Sequence, residues 1–360
     1  MNPRLIALIP LCTAGACATS AVAQSSIAVS GIVDLAARHV SNEGAGSMKS
    51  LVSGSNSTSR LIFSGREDLG DGLSVSFHLE HGLLADTGTQ AAADKFWDRR
   101  ATVSLSSNSL GEVRLGRDYV PSYVVWTRYD PFSYVGAARS ANLVSATPVG
   151  PIRSAFSTNV NTTVRWDNAA QVLLPSGLGG FEGAIMAAAG EGGDAASGRA
   201  KVVGMRIGFT AKTFGVSTAT TRSENSLTTA GSFKDSVFGG HLDVASVRLT
   251  AAWREFRYDQ SKQALLLLGA VATWGLHELK ASWIKADLSG RVGTTAIDAN
   301  DARQWGIGYV YHLSKRTALY ATAASISNDG TARYVISDGP AGMVGGGTSR
   351  GYEAGIRHRF

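Results

Sequence analysis

Apolar and polar residues alternate with a period of two in short stretches through most of this chain. The segment LSVSFHLE at 73–80 and the closing GYEAGIRHRF at 351–360 show the pattern. Successive side chains of a β-strand point to opposite faces, so the alternation predicts strands with one apolar and one polar face. It continues to the last residue, Phe360, although chain ends usually fray. We therefore expect the last strand to be paired along its whole length.

Long apolar segments are missing from the same sequence. The longest apolar run after the first residues is Ala264–Ala272, well short of the roughly 18 residues that a membrane helix needs. The chain has 42 glycines and 8 prolines. These features fit either a large secreted all-β protein or a membrane protein that crosses the bilayer with strands.

The first 23 residues are expected to be a secretory signal peptide. Arg4 precedes an apolar stretch, and the small-residue site Ala21–Ala23 predicts cleavage after Ala23. A lipoprotein modified at Cys17 is the alternative, but the preceding residues lack the leucine of a lipobox. Cleavage removes Cys12 and Cys17, so the mature chain 24–360 has no cysteine and no disulfide.

The charge of the mature chain is mildly positive and evenly spread. Without the signal peptide there are 33 basic and 28 acidic residues, a net charge of +5 with no cationic run, so nucleic-acid binding is not expected. His78 and His81 are three apart on a predicted strand and so face opposite sides, and no other metal-ligand spacing is present. We expect no metal and no cofactor.

Counting the alternating runs predicts sixteen strands joined by short turns and long polar loops in alternation, which is typical of a transmembrane β-barrel. The runs are 26–40, 56–68, 71–85, 94–107, 110–119, 161–168, 178–190, 200–212, 213–224, 232–244, 245–259, 262–274, 275–288, 301–314, 315–328 and 349–360. Tight turns are expected at 67–73, 106–112 and 312–317. Within hydrocarbon a sheet must close on itself to pair its backbone, so 349–360 should pair with 26–38.

Several segments of the chain resemble the Gram-negative general porin family, in the branch typical of β-proteobacteria. They are SSIAVSGIVDLAAR (25–38), SRLIFSGREDLGDGLSVSFHLE (59–80), DRRATVSLSSNSLGEVRLGRDYVP (98–121), YDPF (129–132), TTVRWD (162–167) and the closing GYEAGIRHRF. The sequence departs from the family at Asn168-Ala169, where a Ser-Pro is usual, and segment 120–160 has few acidic residues.

The resemblance implies an all-β fold: a 16-stranded antiparallel transmembrane β-barrel, usually a homotrimer, whose long third extracellular loop folds into the lumen. The segment 120–160 lies where that loop would be. The family's terminal aromatic residue is read by the outer-membrane assembly machinery, which assigns the assembly signal here to Tyr352 and Phe360. The implied partners are this machinery, outer-membrane lipid and lipopolysaccharide, and small hydrophilic solutes and ions.

Strand parity predicts that many charged residues lie on the inner face. The opposite assignment would be unfavourable, because an arginine that faces lipid at mid-membrane costs about 2–4 kcal/mol. Charged rings at a narrow point set the selectivity of a channel. We expect a constriction with Arg60, Arg100 and Arg114 on the wall and Asp118 and Asp130 toward the loop. Arg128, Arg139 and Arg153 in the loop should favour anions. For any single arginine, a solvated lumen position or a wall salt bridge is the alternative.

These features together predict a passive, water-filled outer-membrane diffusion channel with a mild anion preference, and not an enzyme. An outer-membrane β-barrel hydrolase is one alternative, but no Gly-x-Ser-x-Gly nucleophile elbow stands in the required context. A surface adhesin is the other, and it would be found in the soluble fraction.

Overall fold

The computed structural model describes residues 26–144, 148–157, 163–190 and 201–360. The predicted signal peptide, residues 1–23, lies outside the described residues. Within the described ranges, no helix is both long enough and apolar enough to span a membrane.

The described chain is almost entirely β-sheet, and every pair of neighbouring strands is antiparallel. The elements are β1 Ser26–Asn42, β2 Gly46–Ser53, β3 Arg60–Gly70, β4 Leu73–Leu84, β5 Thr89–Gln90, β6 Arg100–Ser107, β7 Gly111–Tyr119, α1 Pro121–Tyr129, α2 Pro151–Phe156, β8 Arg165–Leu173, β9 Phe181–Ala189, β10 Lys201–Thr210, β11 Phe214–Glu224, β12 Phe233–Val244, β13 Val247–Tyr258, β14 Ser261–Trp274, β15 His277–Val292, β16 Thr295–Ala296, β17 Ala302–His312, β18 Thr317–Asn328 and β19 Thr348–Arg359. β2, β5 and β16 extend hairpins, and the other sixteen strands form a closed barrel, which confirms the predicted strand number.

The barrel closes between its first and last strands. β1 pairs with β19 from Ile32 opposite Arg359 to Asn42 opposite Ser349, while the start of β1 pairs with β3. The final residue is also held, because the amide and the carbonyl of Phe360 bond to Gly31, each at 3.1 Å. The predicted pairing of the last strand with the first is therefore confirmed.

The connections differ at the two ends of the barrel. Among the described residues, short turns join the strands at the end where β1 begins and β19 finishes. They lie at 71–72, 108–110, 174–180, 211–213, 245–246, 275–276 and 313–316, which confirms the three turns predicted there. Longer connections at the other end include 43–59, 120–164 and 329–347.

Three strands begin four or more residues later in the chain than the sequence predicted. The run expected at 56–68 is β3, Arg60–Gly70, and the run expected at 94–107 is β6, Arg100–Ser107. The run expected at 161–168 is β8, Arg165–Leu173. Its pairing with β7 shifts between Gly116 and Asp118, and Asn168 adopts a positive φ of 52°. This irregularity breaks the alternation that the prediction relied on, because a β-bulge moves side chains to the other face.

The two faces of the wall differ as the alternation predicted. Outward side chains are large, apolar and exposed, and examples are Ile185, Ile207, Phe238, Leu268 and Trp305. On β17, Gln304 points inward and is fully buried, whereas its neighbour Trp305 is half exposed. The main cluster of buried apolar residues includes Trp126, Tyr129 and Phe132 of the segment between β7 and β8. The barrel thus has an apolar outer surface and a partly filled interior.

We predict that Gly31→Val destabilises the barrel by about 1–3 kcal/mol, the usual cost of overpacking. A Cβ at Gly31 would lie 2.5 Å from the ring of Phe360 and 2.6 Å from the Arg60 carbonyl oxygen, so the closing pair of strands would have to shift. The measurement is the temperature at which the folded band disappears on SDS gels. Ala37→Val, at an exposed position of the same strand, is the control. Equal melting of both variants would contradict the prediction.

Candidate functional site

The segment between β7 and β8 runs through the inside of the barrel. The Tyr129 hydroxyl of α1 lies 2.6 Å from Ser217 Oγ on β11. Further along, the amide of Ala137 donates to Glu353 Oε1 on β19, at 2.9 Å. A segment that contacts the inward faces of strands so far apart in a closed barrel must cross its interior. It follows the fifth strand of the wall, where the sequence placed the third loop.

Glycines on the inner wall make room for this segment. A Cβ at Gly239 would lie 2.4 Å from the Tyr129 ring, and one at Gly269 would lie 2.5 Å from Pro131. A Cβ at Gly306 would lie 2.4 Å from the Cβ of Ala138. Side chains at these positions would push the segment toward the centre of the lumen, because such contacts leave no room for a Cβ.

A buried ion pair fixes both ends of the segment to the wall. Arg254 on β13 is fully buried and pairs with Asp235 on β12 at 2.8 Å. The Ser122 hydroxyl, at the start of the segment, donates to Asp235 at 2.6 Å. Arg254 donates to the carbonyl oxygen of Thr163, at its end, at 3.2 Å. Removing one partner of such a pair leaves an uncompensated buried charge, so the position of the segment depends on both.

Asp130 organises the turn after α1. Its carboxylate accepts hydrogen bonds from the Phe132 and Tyr134 amides, at 2.9 and 3.0 Å, and from the Ser140 hydroxyl at 2.5 Å. Burial raises the pKa of the Asp130 carboxyl, and these hydrogen bonds only partly offset the rise. This corrects the expectation that Asp130 faces the wall arginines across the lumen, because its own loop surrounds the carboxylate.

The other expected carboxylate, Asp118, lies on the wall itself. Arg114 Nη1 is 2.9 Å from Asp118 Oδ2, and Arg114 Nε is 2.8 Å from Glu112 Oε1. Arg100 Nε is 3.6 Å from Asp118 Oδ1. These four residues form one ladder of alternating charge along β6 and β7. Arg100 and Arg114 are therefore balanced by neighbours on the same side of the barrel, which corrects the expected arrangement across the lumen.

A water-accessible space of about 780 Å³ lies between the segment and the wall. Seven basic side chains line it, against one carboxylate among the described lining residues. They are Arg60, Arg99, Arg128, Lys280, Lys315, Arg357 and Arg359, and the carboxylate is Glu278. A cleft lined by one sign of charge concentrates the potential and raises the local concentration of counter-ions. This space is electropositive.

A second space, of about 520 Å³, meets the first. The residues that line both are Thr58, Arg99, Tyr123 and Val135. We call these four residues the neck. Arg99 is 8% exposed, and its guanidinium donates to Glu80 Oε1 at 2.5 Å and to the Tyr119 hydroxyl at 3.0 Å. The cation is therefore held in one orientation by a carboxylate and a phenol.

The other residues expected at the constriction are spread over different places. Arg60 lines the larger space, 3.6 Å from Glu80 Oε1, and Arg128 lines it as well. Arg139 lines the smaller space. Arg153 is exposed on α2 and is among the described lining residues of neither. The structure thus brings Arg60 and Arg128 together around one space but leaves Arg153 apart.

Strand parity missed the arginine of the neck. The run predicted at 94–107 includes Arg99 and gives it the opposite parity to Arg100, but β6 begins only at Arg100, so strand parity does not apply to Arg99. Lys315 was missed for a similar reason, because it lies in the turn between β17 and β18. The adjacent pair Arg99-Arg100 was the available signal. Two neighbouring side chains of a strand cannot share a face, so both arginines can point inward only if one of them lies outside the strand.

Comparisons with known proteins agree with this architecture. The family model described as Gram-negative porin matches residues 7–331. Outer membrane porin protein 32 of Delftia acidovorans is 33% identical over 380 residues, covering 100% of both chains. A solved structure, the anion-selective porin from Comamonas acidovorans, is 28% identical with a TM-score of 0.77 and covers 94% of this chain and 100% of that one.

More distant structures share the fold alone. The in-vitro folded OmpT of Vibrio cholerae, in its trimer form, is 13% identical with a TM-score of 0.62, over 93% of this chain and 99% of that one.

The closed barrel, its interior segment and the match over most of the sequence lead to one conclusion. The chain belongs to the Gram-negative porin family and is an outer-membrane β-barrel that acts as a passive, water-filled diffusion channel and not as an enzyme.

Proposed function

We propose that this channel carries small hydrophilic solutes with a preference for anions, and that Arg99 at the neck sets this preference. The supporting observation is the charge around the larger space. Two of its lining arginines, Arg60 and Arg99, share Glu80, and Arg128 pairs with Glu182. Among the described residues, the seven basic side chains of this space outnumber by four the carboxylates that line it or pair with them, which are Glu80, Glu182 and Glu278.

The arginines of this space present guanidinium groups to the path. Arg60, Arg357 and Arg359 all line it. A guanidinium presents its donors in a fixed plane that suits carboxylate and phosphate oxygens. Several such sites in sequence allow an anion to enter and leave, since conduction requires binding that is weak at each site.

The likeness to a characterised relative supports the same direction. The solved porin from Comamonas acidovorans is described as anion-selective, and it covers 94% of this chain at 28% identity. We further propose that the segment 120–160 is the constriction that sets the size limit. Its support is the path across the barrel described above, fastened by Arg254 and Asp235.

The proposal also covers how the protein is exported, assembled and surrounded by lipid. Residues 1–23 would direct export, and the exposed apolar face of the barrel would contact outer-membrane lipid and lipopolysaccharide. Tyr352 and Phe360, each about half exposed on β19 and at its end, would form the signal read by the outer-membrane assembly machinery.

The active form would be a homotrimer, because a distant structural relative is described in a trimer form.

We predict that Arg99→Gln lowers the anion-to-cation permeability ratio by roughly two- to fivefold, the effect of removing about 0.4–1 kcal/mol of charge attraction in a wet channel. The measurement is the zero-current potential in a planar bilayer under a salt gradient. Lys315→Gln, an exposed residue of the same space, should give a smaller change in the same direction. Arg303→Gln, an exposed position on the outward parity of β17, is the control with the same loss of charge. A wild-type preference for cations would refute the proposal.

Trimer formation predicts a band of three times the mature mass on an unheated SDS gel, converting to the monomer on boiling. Single insertions into a bilayer should then show three equal conductance steps. A monomer band before and after boiling, together with single steps, would rule the trimer out.

Phe360→Ala should reduce the amount of protein in the outer membrane of expressing cells several-fold, while the purified variant still refolds into lipid. Phe214→Ala is the matched control, because it removes an exposed aromatic residue near the same end of the barrel. Equal loss of refolding and of cellular assembly would instead assign Phe360 a purely structural role at the closing pair of strands.

A further inference from the structure

We propose that the neck is a recognition site for aromatic carboxylates, which it binds transiently as they pass. The inference rests on the proposed function, because it needs an anion path past Arg99. It goes further by assigning the chemical class of solute that the neck favours over other anions of the same charge and size.

Three tyrosines carry the aromatic part of the site. The rings of Tyr119 and Tyr123 are stacked, with centroids 5.2 Å apart and an angle of 11° between their planes. Tyr134 meets Tyr123 edge to face, also at 5.2 Å. Tyr119 lines the larger space, Tyr134 lines the smaller one, and Tyr123 lines both. The three rings therefore form a continuous aromatic surface from one space through the neck to the other.

Two guanidinium groups accompany these rings. Arg99 donates to the Tyr119 hydroxyl at 3.0 Å, and the central guanidinium carbon of Arg165 lies 4.8 Å from the centre of the Tyr119 ring. Arg99 lines both spaces and Arg165 lines the smaller one. A carboxylate attached directly to an aromatic ring could thus meet a cation and an aromatic surface at the same time.

The rest of the neck is unusual for a site that selects charge alone. Val135 is aliphatic, Tyr123 presents an aromatic ring, and Thr58 adds a single hydroxyl. A small hydrated anion such as chloride gains nothing from the apolar groups, whereas an aromatic ring gains contact area and an aromatic pair. Because the binding is weak and the path continues on both sides, retention slows passage without stopping it.

The test measures how strongly benzoate blocks the chloride current of the refolded full-length mature protein in a planar bilayer. Cyclohexanecarboxylate is the comparison, since it has the same charge and similar size but no aromatic ring. Benzoate should block with an apparent dissociation constant about two- to tenfold lower, the range that corresponds to one aromatic pair. Tyr123→Leu should abolish that difference, and Tyr123→Phe should preserve it.

The outcomes separate this inference from the proposed function. Equal block by the two acids in an anion-selective wild-type channel would overturn the inference and leave the function intact. A difference between benzoate and cyclohexanecarboxylate that stays unchanged in Tyr123→Leu would also overturn the inference and leave the function intact. A cation-selective wild type would overturn both. If Tyr123→Leu does not refold, Tyr134→Leu replaces it, because Tyr134 lies in the same aromatic surface and should also reduce the difference.

Discussion

Complete pairing of the backbone is the constraint on which the rest of this structure depends. A sheet surrounded by hydrocarbon has no water to satisfy an open edge, so it must close on itself. Here closure extends from the pairing of β1 with β19 to the two hydrogen bonds between Gly31 and Phe360. Because the apolar side chains then face outward, the interior can hold water, charge and a segment of chain.

The interior shows how such a barrel can be partly filled and still conduct. Inward glycines such as Gly239 and Gly269 provide space for the crossing segment, and the Arg254–Asp235 pair holds its ends. Most charged residues on the wall are paired with neighbours, as Arg114 is with Asp118. The excess positive charge remains along the water path, where it can act on a passing solute.

The sequence predicted the strands, their number and the closure, because a period of two is a local property of each strand. The β8 boundary was misplaced because the irregularity at Asn168 resets that period. The site was predicted less well. Arg99 lies just outside a strand, and Asp130 is enclosed by the fold of its own loop, so neither position follows from parity. Distances across the lumen depend on how the interior segment folds, which no strand pattern contains.

The route of that segment has a consequence for the order of assembly. Its supports come from strands far apart in the chain, from Ser217 on β11 to Glu353 on β19. Gln263 on β14 donates both to Leu143 of the segment and to Tyr334 of the last long connection, which ties the two together. The supports are incomplete until the final strand arrives, so a closed but empty barrel lacks the contacts of the native state. Full support of the interior segment therefore requires the closed wall.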